Sequence, residues 1–131
     1  MKNLEEWVAY LESKIGGNMI EILKFKLLVW KLKKIALYIS TIFKTNIEIK
    51  YEKDIGFLFS DHTVNINPFT GENRVIENYT LIQGFDIVRD INNPLYKNKL
   101  YFIWYQNMNL LQLIEIKNKL KIFRDTVYKL D

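Results

Sequence analysis

The chain has 131 residues, a net charge of +4, a hydrophobic content of 49% and no cysteine. The absence of cysteine excludes disulfides, thiolate metal sites and cysteine nucleophiles. The apolar content argues against extended disorder. A chain of this length is expected to form one domain over residues 1–131.

The N-terminal region predicts neither a secretory signal nor a membrane anchor. It contains Glu5 and Glu6 and has no continuous apolar core. A membrane span needs about 20 mostly apolar residues in a row, and lysines interrupt every long apolar run of this chain. We therefore expect a cytoplasmic or other intracellular protein without a membrane span.

Residues 3–15 are predicted to form the first helix. Asn3 can cap its N-terminus, and glycines at positions 16 and 17 can end it. Asn18 can then cap a second helix, with Glu21 as its capping-box partner. These closely spaced signals predict a helical hairpin. The apolar stripe of the first helix consists of Leu4, Trp7, Val8, Leu11 and Ile15.

The second helix, predicted over residues 17–44, is apolar on two faces. One stripe consists of Ile22, Phe25, Val29, Leu32, Ala36, Ile39 and Phe43. The other consists of Ile20, Leu23, Leu27, Trp30 and Leu37. At about 100° per residue the two stripes point in different directions. A second copy of the chain could cover one of them, so the pattern predicts a homodimer.

The middle of the chain predicts mostly antiparallel strands. Residues 47–53 alternate strictly between apolar and polar, which is typical of a half-buried strand. Residues 74–88 fit period two less well, and we interpret them as a strand with Gly84 as a possible bulge. Residues 100–105 are apolar in both alternations, which predicts a central strand covered on both faces. Shorter strands are predicted at residues 57–59 and 63–66.

The last helix is predicted to begin at Asn107 or Asn109 and to run to about Leu130. Its apolar stripe consists of Leu113, Ile116, Leu120, Phe123, Val127 and Leu130, and its other face is mostly basic. The predicted fold is therefore α+β, with an N-terminal helical hairpin, a mostly antiparallel sheet of four to five strands and a C-terminal amphipathic helix.

The residues predict no enzyme, cofactor or small-molecule substrate. The single histidine, His62, excludes multi-histidine metal sites; a site formed by His62 with Asp61 and Asp54 stays open, although a polar turn explains these residues equally well. Glu48 and Lys50 resemble the acid-x-lysine step of a class of metal-dependent nucleases. The further acid that such a site takes from an earlier strand has no counterpart here, because no strand is predicted before Glu48.

Nucleic-acid binding is the predicted function, because the chain combines clustered cations with aromatic rings in loops. Lysine and arginine displace counterions from phosphates, and exposed aromatic rings stack on bases of single strands. We expect the protein to act as a homodimer that binds single-stranded more readily than duplex nucleic acid. The predicted phosphate contacts are Arg74, Lys97, Lys99, Lys117, Lys121 and Arg124, and the predicted stacking residues are Phe69 and Tyr96.

Two other classes of function stay open. The protein could be a structural or interaction subunit that self-associates through its central helix and has no nucleic-acid role. It could also be a peripheral membrane protein that uses lysines beside Trp30 and Leu27. The second alternative is disfavoured here on the expectation that the folded core buries those two side chains.

Overall fold

A computed structural model describes residues 2–61, 76–90, 100–105 and 108–128. The predicted strand at residues 63–66 lies outside them. The helices are α1 (Leu4–Ile15), α2 (Met19–Phe43) and α3 (Leu110–Thr126). The strands are β1 (Lys2–Asn3), β2 (Ile47–Glu52), β3 (Gly56–Asp61), β4 (Ile76–Ile82), β5 (Phe85–Asp90) and β6 (Tyr101–Trp104). This order confirms the predicted α+β fold with two N-terminal helices and one C-terminal helix.

Asparagine side chains cap the N-termini of α1, α2 and α3. Asn3 Oδ1 accepts from the backbone N–H of Glu6 at 2.8 Å. Asn18 Oδ1 accepts from the backbone N–H groups of Ile20 and Glu21 at 3.0 and 3.2 Å. Asn109 forms a complete capping box with Gln112, which decides between the two predicted starts of α3. Short polar side chains thus satisfy backbone donors that have no partner inside the helix.

The C-terminal ends of two helices differ from the predictions by a few residues. α2 ends at Phe43 because Lys44 adopts the left-handed conformation, with φ of 52°. α3 ends at Thr126 and not near Leu130. Tyr128 donates its backbone N–H to the carbonyl of Phe123 at 3.0 Å, and its ring packs 5.7 Å from that of Phe43. This aromatic contact packs the residues after α3 against the end of α2.

The strands form one antiparallel sheet in the order β1-β2-β3-β6-β5-β4. β6 is therefore central, between β3 and β5, and Trp104 is paired with Phe57 on one side and Phe85 on the other. All four residues of β6 are buried, which confirms the prediction of a central strand covered on both faces.

The prediction of one strand over residues 74–88 is wrong in its connectivity. β4 and β5 form a hairpin whose turn contains Gly84, with φ of 93°. Glycine suits a tight turn because it adopts positive φ without a steric penalty. Gly84 is thus a turn residue, and the irregularity in the pairing lies between Thr80 and Ile82. Apolar and polar residues alternate in both strands, and the alternation continues in step through the turn. The two strands therefore resembled one longer strand.

All three helices contribute to one core on the same face of the sheet. Trp7 of α1, Ile39 of α2 and Leu120 of α3 join the cluster that contains Phe59 and Phe102. The opposite face carries a second, smaller buried cluster that consists of Leu58, Val88, Tyr101 and Ile103. The outer sides of the helices are therefore directed away from the sheet.

Candidate binding surface on the outer faces of the helices

The second apolar stripe of α2 is exposed. We define the outer stripe as six side chains whose exposed fractions range from 44% to 68%. Five of them were predicted as a separate stripe, and the described chain does not bury them. The expectation that the core buries Trp30 and Leu27 is therefore wrong. The outer stripe consists of Met19, Ile20, Leu23, Leu27, Trp30 and Leu37.

The position of the outer stripe follows from the helical period. Leu32, Ile35 and Ile39 are fully buried against the sheet. At about 100° per residue, the centre of the outer stripe lies roughly 150° around the helix from them. The stripe extends from Met19 to Leu37, about 27 Å along the helix axis at 1.5 Å per residue. It is an apolar ridge, interrupted by Lys34, on the side of α2 that is farthest from the core.

Lysines border the outer stripe. Lys26 and Lys33 are exposed on one side of it, and Lys24 is exposed on the other. Lys34 lies within the stripe, with its Nζ atom 5.6 Å from the centre of the Trp30 ring. Such a contact attracts a cation to the face of the ring. The ridge is thus mostly apolar, with one lysine within it and further positive charge along its edges.

The outer face of α3 carries exposed apolar side chains among exposed charged ones such as Glu115, Lys121 and Asp125. The apolar ones were missed in the sequence analysis because that face was described there as mostly basic. Leu111, Ile114 and Ile122 are exposed by 77%, 56% and 61%. Because α2 and α3 both pack their opposite sides against the same face of the sheet, these residues and the outer stripe are directed the same way. We call the outer stripe, its bordering lysines and these three residues together the outer surface. The sequence signal that could have found Leu111, Ile114 and Ile122 was their spacing, which places them opposite the buried stripe of α3.

Of the eight predicted nucleic-acid contacts, the structure describes three, all on α3. The Nζ atom of Lys117 lies 5.4 Å from the centre of the Tyr38 ring of α2. Lys121 is exposed. Arg124 is occupied, because its Nη1 donates to the carbonyl of Ile42 at 3.3 Å and its Nε donates to Asp125 at 2.9 Å. It helps to hold α3 against the end of α2. The other five predicted contacts, Phe69, Arg74, Tyr96, Lys97 and Lys99, lie outside the described residues.

The residues of the possible metal site do not converge in the described part of the chain. Asp54 lies in the turn before β3, and Asp61 is the last residue of β3. At about 3.3 Å per residue, the two are roughly 20 Å apart. Asp61 accepts a hydrogen bond from Thr45 Oγ1 at 2.6 Å. His62 lies outside the described residues. Within them, no three acidic or histidine side chains are grouped as metal ligands.

Glu48 and Lys50, the acid-x-lysine step, form an ion pair of 3.9 Å on β2. Their side chains are 35% and 18% exposed, so they are less solvated than the alternating pattern suggested. They are directed to the face of the sheet opposite the helices, because Ile49 between them joins the helix-side core. Lys50 is paired in register with Leu58 and Glu48 with Ser60. The expectation that no strand precedes Glu48 is wrong, because β1 pairs Asn3 with Lys50 on the other side of β2. None of these paired neighbours supplies a second carboxylate.

A cavity of about 520 Å³ lies where α1 meets the end of the sheet. Its walls are aromatic: the rings of Trp7 and Phe57 are 4.8 Å apart, edge to face, and those of Phe57 and Trp104 are 5.7 Å apart. Burial and the neighbouring Asp86 raise the pKa of Tyr105 at its edge. The rings that form the cavity already pack against one another, as they do in a core.

A polar cluster links the two strands of the β4–β5 hairpin. The Glu77 carboxylate accepts from the Tyr79 hydroxyl at 2.7 Å and from Arg89 Nε at 3.0 Å. These bonds, that of Tyr79 first, lower the pKa of Glu77 below its ordinary value of 4.5. The bond to Glu77 raises the pKa of Tyr79. The cluster is thus a pH-sensitive contributor to stability.

We expect Glu77→Gln to reduce the free energy of unfolding at neutral pH by about 1 kcal/mol, because one hydrogen bond from Tyr79 and two from Arg89 lose their charged acceptor at a partly exposed site. A group with a lowered folded pKa stabilises the fold above its unfolded pKa, and this contribution disappears as the pH falls through the folded pKa. The difference from wild type should therefore vanish in acid. Urea unfolding between pH 7 and about pH 3 tests this. A constant difference, or an equal pH dependence in Glu12→Gln, would contradict it.

Comparisons of the chain with protein-family models, with curated proteins and with solved structures find no match. Among the described residues, no helix combines the length and the apolar character needed to cross a bilayer.

Proposed function

We propose that this protein is a binding protein that docks through its outer surface onto a partner of negative charge. One observation carries the proposal: six large apolar side chains stand exposed in a single row along α2, with lysines on both sides. Contiguous exposed apolar surface of this kind is typical of interaction sites. The cavity beside α1 and the polar cluster of the β4–β5 hairpin offer no comparable surface.

The charge of α2 favours an anionic partner over a second copy of the chain. Residues 17–45 carry six lysines and a single glutamate, Glu21. A symmetric dimer through the outer stripe would bring lysine rows face to face in either helix orientation. Each close pair of exposed lysines opposes association by up to about 1 kcal/mol at low salt. Self-association through α2 is therefore the weaker proposal, although the apolar stripe itself would favour it.

The salt dependence of self-association separates these proposals. We expect the wild-type chain to be monomeric at low salt and to associate only as salt screens the lysines. Leu23→Glu with Leu27→Glu should abolish that association, because it places charge in the apolar stripe. Sedimentation velocity over a range of concentrations and salt measures both effects.

The matched control is Asn46→Glu with Gln83→Glu, which adds the same charge at exposed positions away from the outer surface. It should associate as the wild type does. A stable dimer at low salt that dissociates in the Leu23→Glu, Leu27→Glu variant would contradict the proposal, because the stripe would then be covered by a second copy.

Nucleic-acid binding is a second candidate function, and one observation favours it. Three cations on the helices lie over aromatic rings: Lys117 over Tyr38, Lys34 over Trp30 and Lys14 over Tyr10. A phosphate contact beside a ring on which a base can stack is the arrangement that single-strand binding proteins use. The exposed aliphatic side chains of the outer stripe have no role in this proposal, and it therefore ranks second.

Lys117→Ala with Lys121→Ala should weaken binding to all single-stranded sequences alike and flatten the salt dependence of the affinity, because two phosphate contacts are lost. Fluorescence anisotropy of labelled oligonucleotides at two salt concentrations measures this. Lys53→Ala removes an exposed lysine in the turn before β3, away from α3, and should change the affinity less. Equal affinity of the Lys117→Ala, Lys121→Ala variant and the wild type would remove α3 from the site.

A further inference from the structure

We infer that the partner of the outer surface is the face of an anionic lipid bilayer, on which α2 and α3 lie flat. The inference rests on the proposed function and names the partner. It follows from the shape of the surface, from the distribution of charge and from the kinds of side chain that are exposed.

The shape of the outer surface favours a planar partner. The outer stripe lies on the outermost side of α2 and forms a ridge about 27 Å long. None of its six side chains lines the cavity beside α1, the cavity at the end of α2 or the cavity between the start of α1 and β2. Leu111, Ile114 and Ile122 form a second ridge on α3, directed the same way. Two ridges on one side contact a deformable plane together, whereas a protein partner would need two grooves to match them.

The side chains are those of a helix that lies in a membrane interface. Such helices combine a long apolar face with bordering lysines and an aromatic residue near the boundary. In α2 the apolar face contains leucine, isoleucine and methionine, and exposed lysines border it. A lysine stem can lie along the apolar region while its ammonium group reaches lipid phosphates. Trp30, 45% exposed and in contact with Lys34, is amphipathic in the same way.

The aliphatic residues distinguish a bilayer from a nucleic acid. Leu23, Leu27 and Leu37 gain nothing from phosphates or sugars, whereas burial below the lipid headgroups removes their apolar surface from water. The lysines alone would suit either polyanion. The combination of an apolar centre with basic edges suits anionic lipid.

Trp30 provides an intrinsic reporter for the test. The other two tryptophans, Trp7 and Trp104, are buried in the core at 6% and 1% exposure, so a change in emission on binding arises mainly from Trp30. We would titrate the protein with vesicles of phosphatidylcholine alone and with vesicles in which phosphatidylglycerol forms about one third of the lipid. A parallel co-sedimentation assay measures the bound fraction.

We expect binding to the anionic vesicles with a blue shift of the emission, quenching by brominated acyl chains, and at least a tenfold loss of affinity from low to high salt. Leu23→Gln with Leu27→Gln removes apolar surface and should weaken binding at least tenfold without changing the charge. Lys26→Gln with Lys33→Gln should weaken binding to anionic vesicles and reduce the salt dependence of that binding. Val127→Gln, an exposed position at the end of α3, is the control and should bind as the wild type does.

Absence of binding to anionic vesicles at low salt would overturn the inference, as would binding that Leu23→Gln with Leu27→Gln leaves unchanged. Failure of the lipid inference can be distinguished from failure of the proposed function. A chain that is monomeric at low salt but ignores vesicles retains an anionic partner of another class, which the oligonucleotide titration then tests. A stable low-salt dimer through the outer stripe removes both proposals together.

Discussion

Gly56→Ala is expected to destabilise the protein by about 2–4 kcal/mol, the largest effect of any single methyl group that we anticipate. Gly56 has φ of 127° in the turn that begins β3, a conformation that side chains rarely adopt. A Cβ atom there would collide with the carbonyl oxygen of Trp104. That oxygen belongs to the backbone of the central strand, so it can move only if the pairing of β3 with β6 is disturbed. Urea unfolding followed by far-UV circular dichroism measures the change.

Gly17→Ala is the matched control. Nothing lies within 4 Å of a Cβ atom at this position, and its φ is not positive. The free energy of unfolding should stay the same or rise slightly, because alanine restricts the unfolded chain. Gly16→Ala should fall between the two, since its φ of 64° is strained but its surroundings are open. Equal stability of Gly56→Ala and Gly17→Ala would show that the β3 turn tolerates a different conformation.

Ile39→Ala should lower the free energy of unfolding by about 3 kcal/mol, because it leaves a cavity where a fully buried side chain packs between α2 and the sheet. Leu37→Ala, two residues earlier on the same helix, should change it by less than about 0.5 kcal/mol, since Leu37 is 53% exposed. The pair compares similar losses of side chain on opposite sides of one helix. Guanidinium unfolding of the two variants measures the difference directly.

The Leu37→Ala variant also tests whether the outer stripe is free. If Leu37→Ala lowered the stability as much as Ile39→Ala, Leu37 would be covered in the free protein, and a concentration dependence of that loss would identify a second copy as the cover. A small, concentration-independent effect is the result expected for an exposed side chain.

Local signals in the sequence predicted most of the helices because helix ends and faces are set by nearby residues. Asn3, Asn18 and Asn109 cap the helices where the sequence placed them. The alternation in residues 47–53 likewise predicted β2. These features depend on contacts over a few residues, which a sequence displays directly.

The pairing of the strands could not be predicted, because it depends on contacts between distant segments. The chain order does not show that β6 pairs with both β3 and β5. The turn at Gly84 was missed for a local reason: two strands that alternate in step look like one longer strand with a glycine bulge.

The candidate surface was predicted in part. The second apolar stripe of α2 was recognised from the sequence. Whether that stripe is buried or exposed depends on how many helices pack on the sheet. The apolar residues of α3 were hidden among lysines at neighbouring positions. The aromatic and basic residues predicted in the two long loops lie outside the described residues, so their part in binding stays a prediction.

The central position of β6 constrains the order in which the protein assembles. The β2–β3 and β4–β5 hairpins both precede β6 in the chain, yet among the described strands it is β6 that joins them. During synthesis each hairpin can close as soon as it leaves the ribosome, but the sheet cannot become continuous until Tyr101–Trp104 has followed. Contacts between such distant segments slow folding. Until that strand arrives, the inner edges of β3 and β5 are open to pairing with other chains.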